Sequence, residues 1–124
     1  MKKTPRSLKI WFIIHFLIDI IFGLPLLFIP KLTLTFLGFT TIETLTARLL
    51  GAALIGIGGT SFLIKDKKLE QFKALLLLKI VWSSAAILAI LLTLYQGAPK
   101  ITWLILIVFV IFSAVWYYYN KTLK

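Results

Sequence analysis

The chain has 124 residues, 60% of them hydrophobic, and a mean hydropathy of +1.01, well above the roughly 45–50% apolar content of a soluble domain. It contains no cysteine and one histidine, which excludes a disulfide framework, a thiolate nucleophile, a zinc ribbon and a histidine-rich metal site. Fourteen lysines and arginines against four acidic residues give a net charge of +10, an excess that has to be sorted by position before it is read as affinity for nucleic acid.

Apolar runs of about 20 residues, the length that crosses ~30 Å of hydrocarbon at 1.5 Å per residue, lie at 10–29, 44–64, 74–95 and 101–117. Runs such as "LLLL" and "LILIVFVIF" would put apolar side chains on both faces of a barrel strand, so the spans are helices. The expected fold is all-α: a polytopic membrane protein, one membrane domain over 1–124, built as an antiparallel bundle of four transmembrane helices.

The start "MKKTPRSLKIWFIIHF" has the basic-then-apolar order of a secretory signal. Its apolar run is long, lacks a small-x-small exit and carries His15 and Asp19, so it reads as a retained first helix. Pro25 removes a backbone donor inside that helix and predicts a kink, and Pro30 ends the span. The segment "PKLTLTFLGF" is too short to cross and is expected in the interface. Thr40 and Glu43 have capping-box spacing at the start of the second helix. There Ala47/Gly51 and Ala52/Gly56/Thr60 recur four apart, as do small residues where helix backbones approach. Gly51, Gly56 and Gly59 are the expected packing glycines, so leucine at Gly56 or Gly59 should disrupt folding more than leucine at Gly97, in the turn "YQGAPK". Asp66 in "KDKKLEQ" is the expected N-cap of the third helix. Tyr95 and Trp103 suit one interfacial aromatic belt, and Trp116, Tyr117, Tyr118 and Tyr119 the other.

Lys2, Lys3, Arg6 and Lys9 precede the first helix, Lys65, Lys67, Lys68 and Lys73 flank the second connection, and Lys121 and Lys124 end the chain; Lys31 and Lys100 lie on the other side. A bias of ten to two places both termini in the cytoplasm of a cell-membrane protein by the positive-inside rule. Orientation and attraction to anionic headgroups account for the basic excess without nucleic acid.

Four ionisable residues lie inside the runs: His15, Asp19, Arg48 and Lys79. Helical side chains lean toward the helix N-terminus, so Arg48 leans to the nearer surface and snorkels, while Lys79 can reach the headgroups or turn inward. Asp19 lies ~14 Å beyond Ile10, near the midplane, on a side chain too short to reach water. It needs a partner or a proton, because an ionised carboxylate there costs at least about 2.5–3.5 kcal/mol. His15 is one turn away on the same face, and Lys79, Trp82 and Ser83 on the third helix fall at similar depth. The candidate intramembrane polar cluster is therefore His15, Asp19, Lys79, Trp82 and Ser83. No metal ligand set and no cofactor are expected. A hydrolase built on Ser83 or Ser84 with His15 and Asp19 has no nucleophile motif behind it.

Across "FIPKLTLTFLG" and "TARLLGAALIGIGGTSFL" the chain resembles the small four-helix membrane proteins grouped as DoxX-like. The resemblance is specific only in the "RLLGAALIGIG" stretch. It implies a compact four-helix bundle with an accessory role in membrane redox or assembly processes, and no catalytic residues carry over. In length, span number and an acidic residue in the first helix the chain also resembles small multidrug-resistance transporters. It departs from them by having Asp19 for their glutamate, and Arg48 and Lys79 within its spans. Three readings follow. The first is a non-enzymatic accessory bundle that binds another membrane protein or an apolar small molecule, with self-association into a homo-oligomer left open. The second is a proton-coupled small-molecule transporter using Asp19, and the third a lipid- or quinone-handling membrane enzyme.

Overall fold

A computed structural model describes residues 3–123; Lys2 and Lys124, counted in the charge bias, lie outside them. The described residues form helices α1 (Arg6–Phe28), α2 (Pro30–Phe36), α3 (Thr44–Leu63), α4 (Leu69–Gln96) and α5 (Ile101–Thr122), with no strand among them. The chain divides into two units, Met1–Lys67 with α1 to α3 and Lys68–Lys124 with α4 and α5. All of these helices except α2 are long and apolar enough to cross a membrane.

α1 continues through Pro25 and stops at Ile29, whose φ of −134° and ψ of 59° are not helical. The residue before a proline is pushed out of the α region by the pyrrolidine ring, and here that residue is Ile29. Pro30 then opens α2, where its fixed φ suits the first helical position. α2 ends in a Schellman motif: the Gly38 amide donates to the Thr35 carbonyl and the Phe39 amide to the Leu34 carbonyl, both at 3.0 Å. Gly38 supplies the positive φ of 93° that this closure needs.

Two expected caps are corrected. Glu43 is itself the N-cap of α3 rather than the third residue of a capping box begun by Thr40: its carboxylate accepts from the amides of Leu45 (2.9 Å) and Thr46 (2.6 Å) and from the Thr46 hydroxyl. A carboxylate serves both orphan donors at once and complements the positive helix end, which a threonine hydroxyl does less well. Asp66 does not cap α4; its N-cap is Lys68, with no side-chain bond. α4 begins at Leu69, before the apolar run at 74, and α5 runs on to Thr122, past 117. Hydropathy marks where the hydrocarbon is, whereas a helix extends as far as its backbone bonds and helix-forming residues such as Glu70, Gln71 and Lys73 carry it.

The Thr46 side-chain and backbone hydrogen bonds, joined by that of Leu45, hold the Glu43 carboxyl below the usual carboxylate range. A depressed folded-state pKa contributes stability that is complete above the unfolded value and is lost as pH falls through the folded one. The first turn of α3 is therefore expected to loosen only at pH below the ordinary glutamate range. Side-chain NMR titration of Glu43 checks the direction, and a Glu43→Gln protein whose Leu45 and Thr46 amide shifts keep the same acid dependence would refute it.

Each long helix buries one stripe: Leu8, Phe12, His15, Asp19, Gly23 and Leu26 on α1, and Ala47, Gly51, Leu54, Gly58 and Ser61 on α3. Alternating steps of three and four residues keep such a stripe on one face. The stripes gather His15, Asp19, Gly23, Gly51, Gly58 and Ser61 among larger apolar residues, while Ile21, Phe28 and Leu63 on the outer faces are more than half exposed. That inside-out distribution suits helices whose surroundings are apolar and whose contacts rely on close packing.

Candidate functional site

In the first unit, α1 and α3 approach through glycines. A Cβ built on Gly51 would lie 2.7 Å from the Gly23 carbonyl oxygen and 2.8 Å from the Leu27 amide nitrogen, and one on Gly23 would lie 3.1 Å from the Gly51 carbonyl oxygen. Backbone meets backbone there, leaving no room for a side chain. Further along the contact Gly58 receives Asp19: a Cβ on Gly58 would lie 2.5 Å from the Asp19 Cβ and 3.0 Å from its Oδ2. Phe16 stacks on Phe62 with ring centroids 4.8 Å apart, closing the same face.

Within that contact His15 Nε2 lies 3.2 Å from Asp19 Oδ2, across one turn of α1. The two residues are 5% and 4% exposed, so the carboxylate expected near the midplane is enclosed by protein. An imidazole and a carboxylate so placed can share one proton or form an ion pair, and either form removes the isolated charge that burial penalises.

In the second unit Trp82 and Ser83 lie one turn beyond Lys79 on α4. Lys79 is fully buried, with its Nζ 4.9 Å from the centre of the Trp116 ring, within the range of a cation–π contact. It therefore turns inward rather than reaching the headgroups. The Ser83 hydroxyl can donate to the Ile80 carbonyl oxygen at 3.2 Å or to the Ser113 hydroxyl at 3.1 Å, and the Ser84 and Tyr117 hydroxyls are 3.1 Å apart. Trp82 packs at 60° to Phe109, and its buried indole nitrogen has no hydrogen-bond partner among the described residues.

The structure brings His15 to Asp19 in one unit, and places Lys79 and Ser83 with Trp116 and Ser113 in the other. The packing glycines need correction: Gly51 is at the helix contact, but a Cβ on Gly56 or Gly59 meets nothing within 4 Å. Gly23 and Gly58 take their places. Gly58 falls on the stripe running Ala47, Gly51, Leu54, Gly58, Ser61, a three-and-four alternation, whereas counting strictly by fours from Ala52 selects the opposite face. Trp116, assigned to an aromatic belt, is fully buried under Lys79 and stacks on Phe112. Tyr117 and Tyr118 are exposed, as a belt requires, whereas Tyr119 is buried with Trp116. Arg48 is exposed and its Nε donates to the Leu27 carbonyl at 3.2 Å. Among the described residues no three His, Cys, Asp or Glu side chains gather as a metal would need.

Comparison of the chain with family models, with curated proteins and with solved structures finds no match in any of the three.

Proposed function

We propose that the chain is a non-enzymatic accessory protein of the cell membrane, of the DoxX-like kind, whose polar interior sets how its helices pack while its outer surface engages another membrane protein or an apolar small molecule. The bundle is antiparallel with both termini cytoplasmic. The observation that carries this reading is enclosure: His15, Asp19, Lys79 and Ser83 are all at most 5% exposed. Buried, partnered polar groups of this kind are well suited to fixing helix register.

A second reading, a proton-coupled transporter, draws on the His15–Asp19 contact, since an acid and a base at 3.2 Å can hold and release a proton within a span. One comparison separates the two. With the protein reconstituted in vesicles under a pH gradient, Asp19→Asn is expected to lower stability with no proton-linked solute flux to lose. Unchanged unfolding together with loss of such a flux would reverse the assignment.

Topology is tested separately by cysteine labelling. Lys3→Cys, Lys67→Cys and Lys121→Cys should react only from the cytoplasmic side, and Lys31→Cys and Lys100→Cys only from the opposite side. Equal labelling of the tails from both sides would mean dual topology, and would put the transporter ahead of the accessory reading.

A further inference from the structure

Where α1 gives way to α2, the first unit carries a groove of about 510 Å³, within the roughly 300–1,000 Å³ of small-molecule sites. Phe28, Ile29 and Leu32 form an apolar wall, each at least half exposed, and Lys31, Thr44 and Arg48 supply cationic and hydroxyl groups. Both cations come from residues close to the end of a membrane-crossing helix.

The chain break at Pro30 explains how Arg48 is held. In a continuous helix the Leu27 carbonyl would accept from the Lys31 amide, four residues on. The break at Ile29 removes that pairing, and Arg48 Nε takes over the carbonyl at 3.2 Å. A long cationic side chain commonly satisfies a helix's last carbonyls in this way. Tethered through Nε, the guanidinium keeps its two terminal nitrogens for a ligand, and no other partner of Arg48 occurs among the described residues. The acid nearest in sequence, Glu43, is turned onto the amides of Leu45 and Thr46, so its carboxylate is engaged by its own helix.

We propose that this groove holds an anionic glycerophospholipid, with the phosphate on Arg48 and Lys31 and an acyl chain along Phe28, Ile29 and Leu32. Charge complementarity selects the headgroup: a planar guanidinium presents paired donors to phosphate oxygens, and a neighbouring ammonium adds a second charge. The apolar wall selects a lipid over a free anion, because a soluble phosphate would leave that surface unused. A second groove, of about 340 Å³, is lined by Arg6, Lys9 and three isoleucines of α1 alone. Its cations have no such tether, and it serves as the internal control.

The test uses the full chain purified in mild detergent, with bound lipid read by native mass spectrometry and the unfolding midpoint read thermally. Phosphatidylglycerol, phosphatidylcholine and inorganic phosphate are the probes. Phosphatidylglycerol is expected to be retained preferentially and to raise the midpoint, with about tenfold weaker binding in Lys31→Gln and in Arg48→Gln. Arg48→Lys keeps the charge but loses the Leu27 tether, and should fall between wild type and Arg48→Gln. Because Arg48 also supports the end of α1, Lys31→Gln is the variant that tests the site without that support being disturbed. Equal binding of the two lipids would overturn the proposal. So would unaltered phosphatidylglycerol binding in Lys31→Gln, displacement of the lipid by inorganic phosphate, or loss of all selectivity in an Arg6→Gln, Lys9→Gln protein.

Discussion

Gly51→Ala is expected to destabilise the protein by about 1–3 kcal/mol, while Gly56→Ala on the same helix stabilises it by up to about 1 kcal/mol. In an exposed helix position alanine is favoured over glycine because it loses less backbone freedom on folding. That gain acts alone at Gly56, where a methyl group meets nothing within 4 Å. At Gly51 the methyl would sit 2.7 Å from the Gly23 carbonyl oxygen and 2.8 Å from the Leu27 amide nitrogen. Neither atom can move without shifting α1 as a body, so overpacking outweighs propensity. Gly97 reverses the sequence-based ranking for a different reason: its φ of 99° with ψ of 121° puts strain on any side chain, about 1–3 kcal/mol, although space there is open. Unfolding by titrated denaturing detergent, followed by circular dichroism, measures all three. Effects of one sign and similar size at Gly51 and Gly56 would remove the close-approach argument.

The second large effect concerns the buried pair on α1. Taking away one member, by Asp19→Asn or by His15→Phe, is expected to lower stability by about 3–5 kcal/mol if the pair is ionised, because the survivor is left as a buried charge. Removing both should cost much less than the sum, since a neutral, similarly shaped pair leaves no charge to be compensated. The interaction energy from the four proteins of the double-mutant cycle isolates that contribution. An exposed i, i+4 pair would give only about 0.3–0.5 kcal/mol, so the size of the coupling reports burial directly. Strict additivity would mean that His15 and Asp19 act independently despite their 3.2 Å separation.

Much of the helical architecture was legible because the length of each apolar run, and its lack of alternation, identify a membrane-crossing helix. The runs at 10–29, 44–64, 74–95 and 101–117 each fall on one of the four long helices. Their ends were less legible: a helix continues through Glu70 to Lys73 at no hydropathic advantage, and nothing in hydropathy registers backbone hydrogen bonds. The inward turn of His15 and Asp19 was visible because a short carboxylate in mid-span has no route to water. Lys79 was ambiguous, since its stem is long enough for either course, and the packing of Trp116 beneath it decides the matter. The glycines separate most sharply. Seven occur in the chain, and whether each lies on the inner or outer face depends on a phase that a count by fours drifts out of within three turns. The three-and-four stripe through Asp19 and Gly23 on α1 carries that phase, and the matching stripe on α3 leads to Gly58.

The Asp19–Gly58 contact also has a meaning in time. Asp19 is synthesised, and so emerges from the ribosome, 39 residues ahead of the Gly58 that covers it, since 58 less 19 is 39. At about 5–20 residues per second the carboxylate spends roughly 2–8 s without its α3 neighbour. The first helix withstands that interval on its own composition: its 15 Leu, Ile and Phe residues favour insertion by about 0.3–0.6 kcal/mol each near the helix centre, an upper bound of roughly 4–9 kcal/mol together. That exceeds the 2.5–3.5 kcal/mol or so that a mid-span acid costs on the same scale. The ribosome can thus release α1 into lipid before its partner is made, and helix pairing becomes a later, separate step.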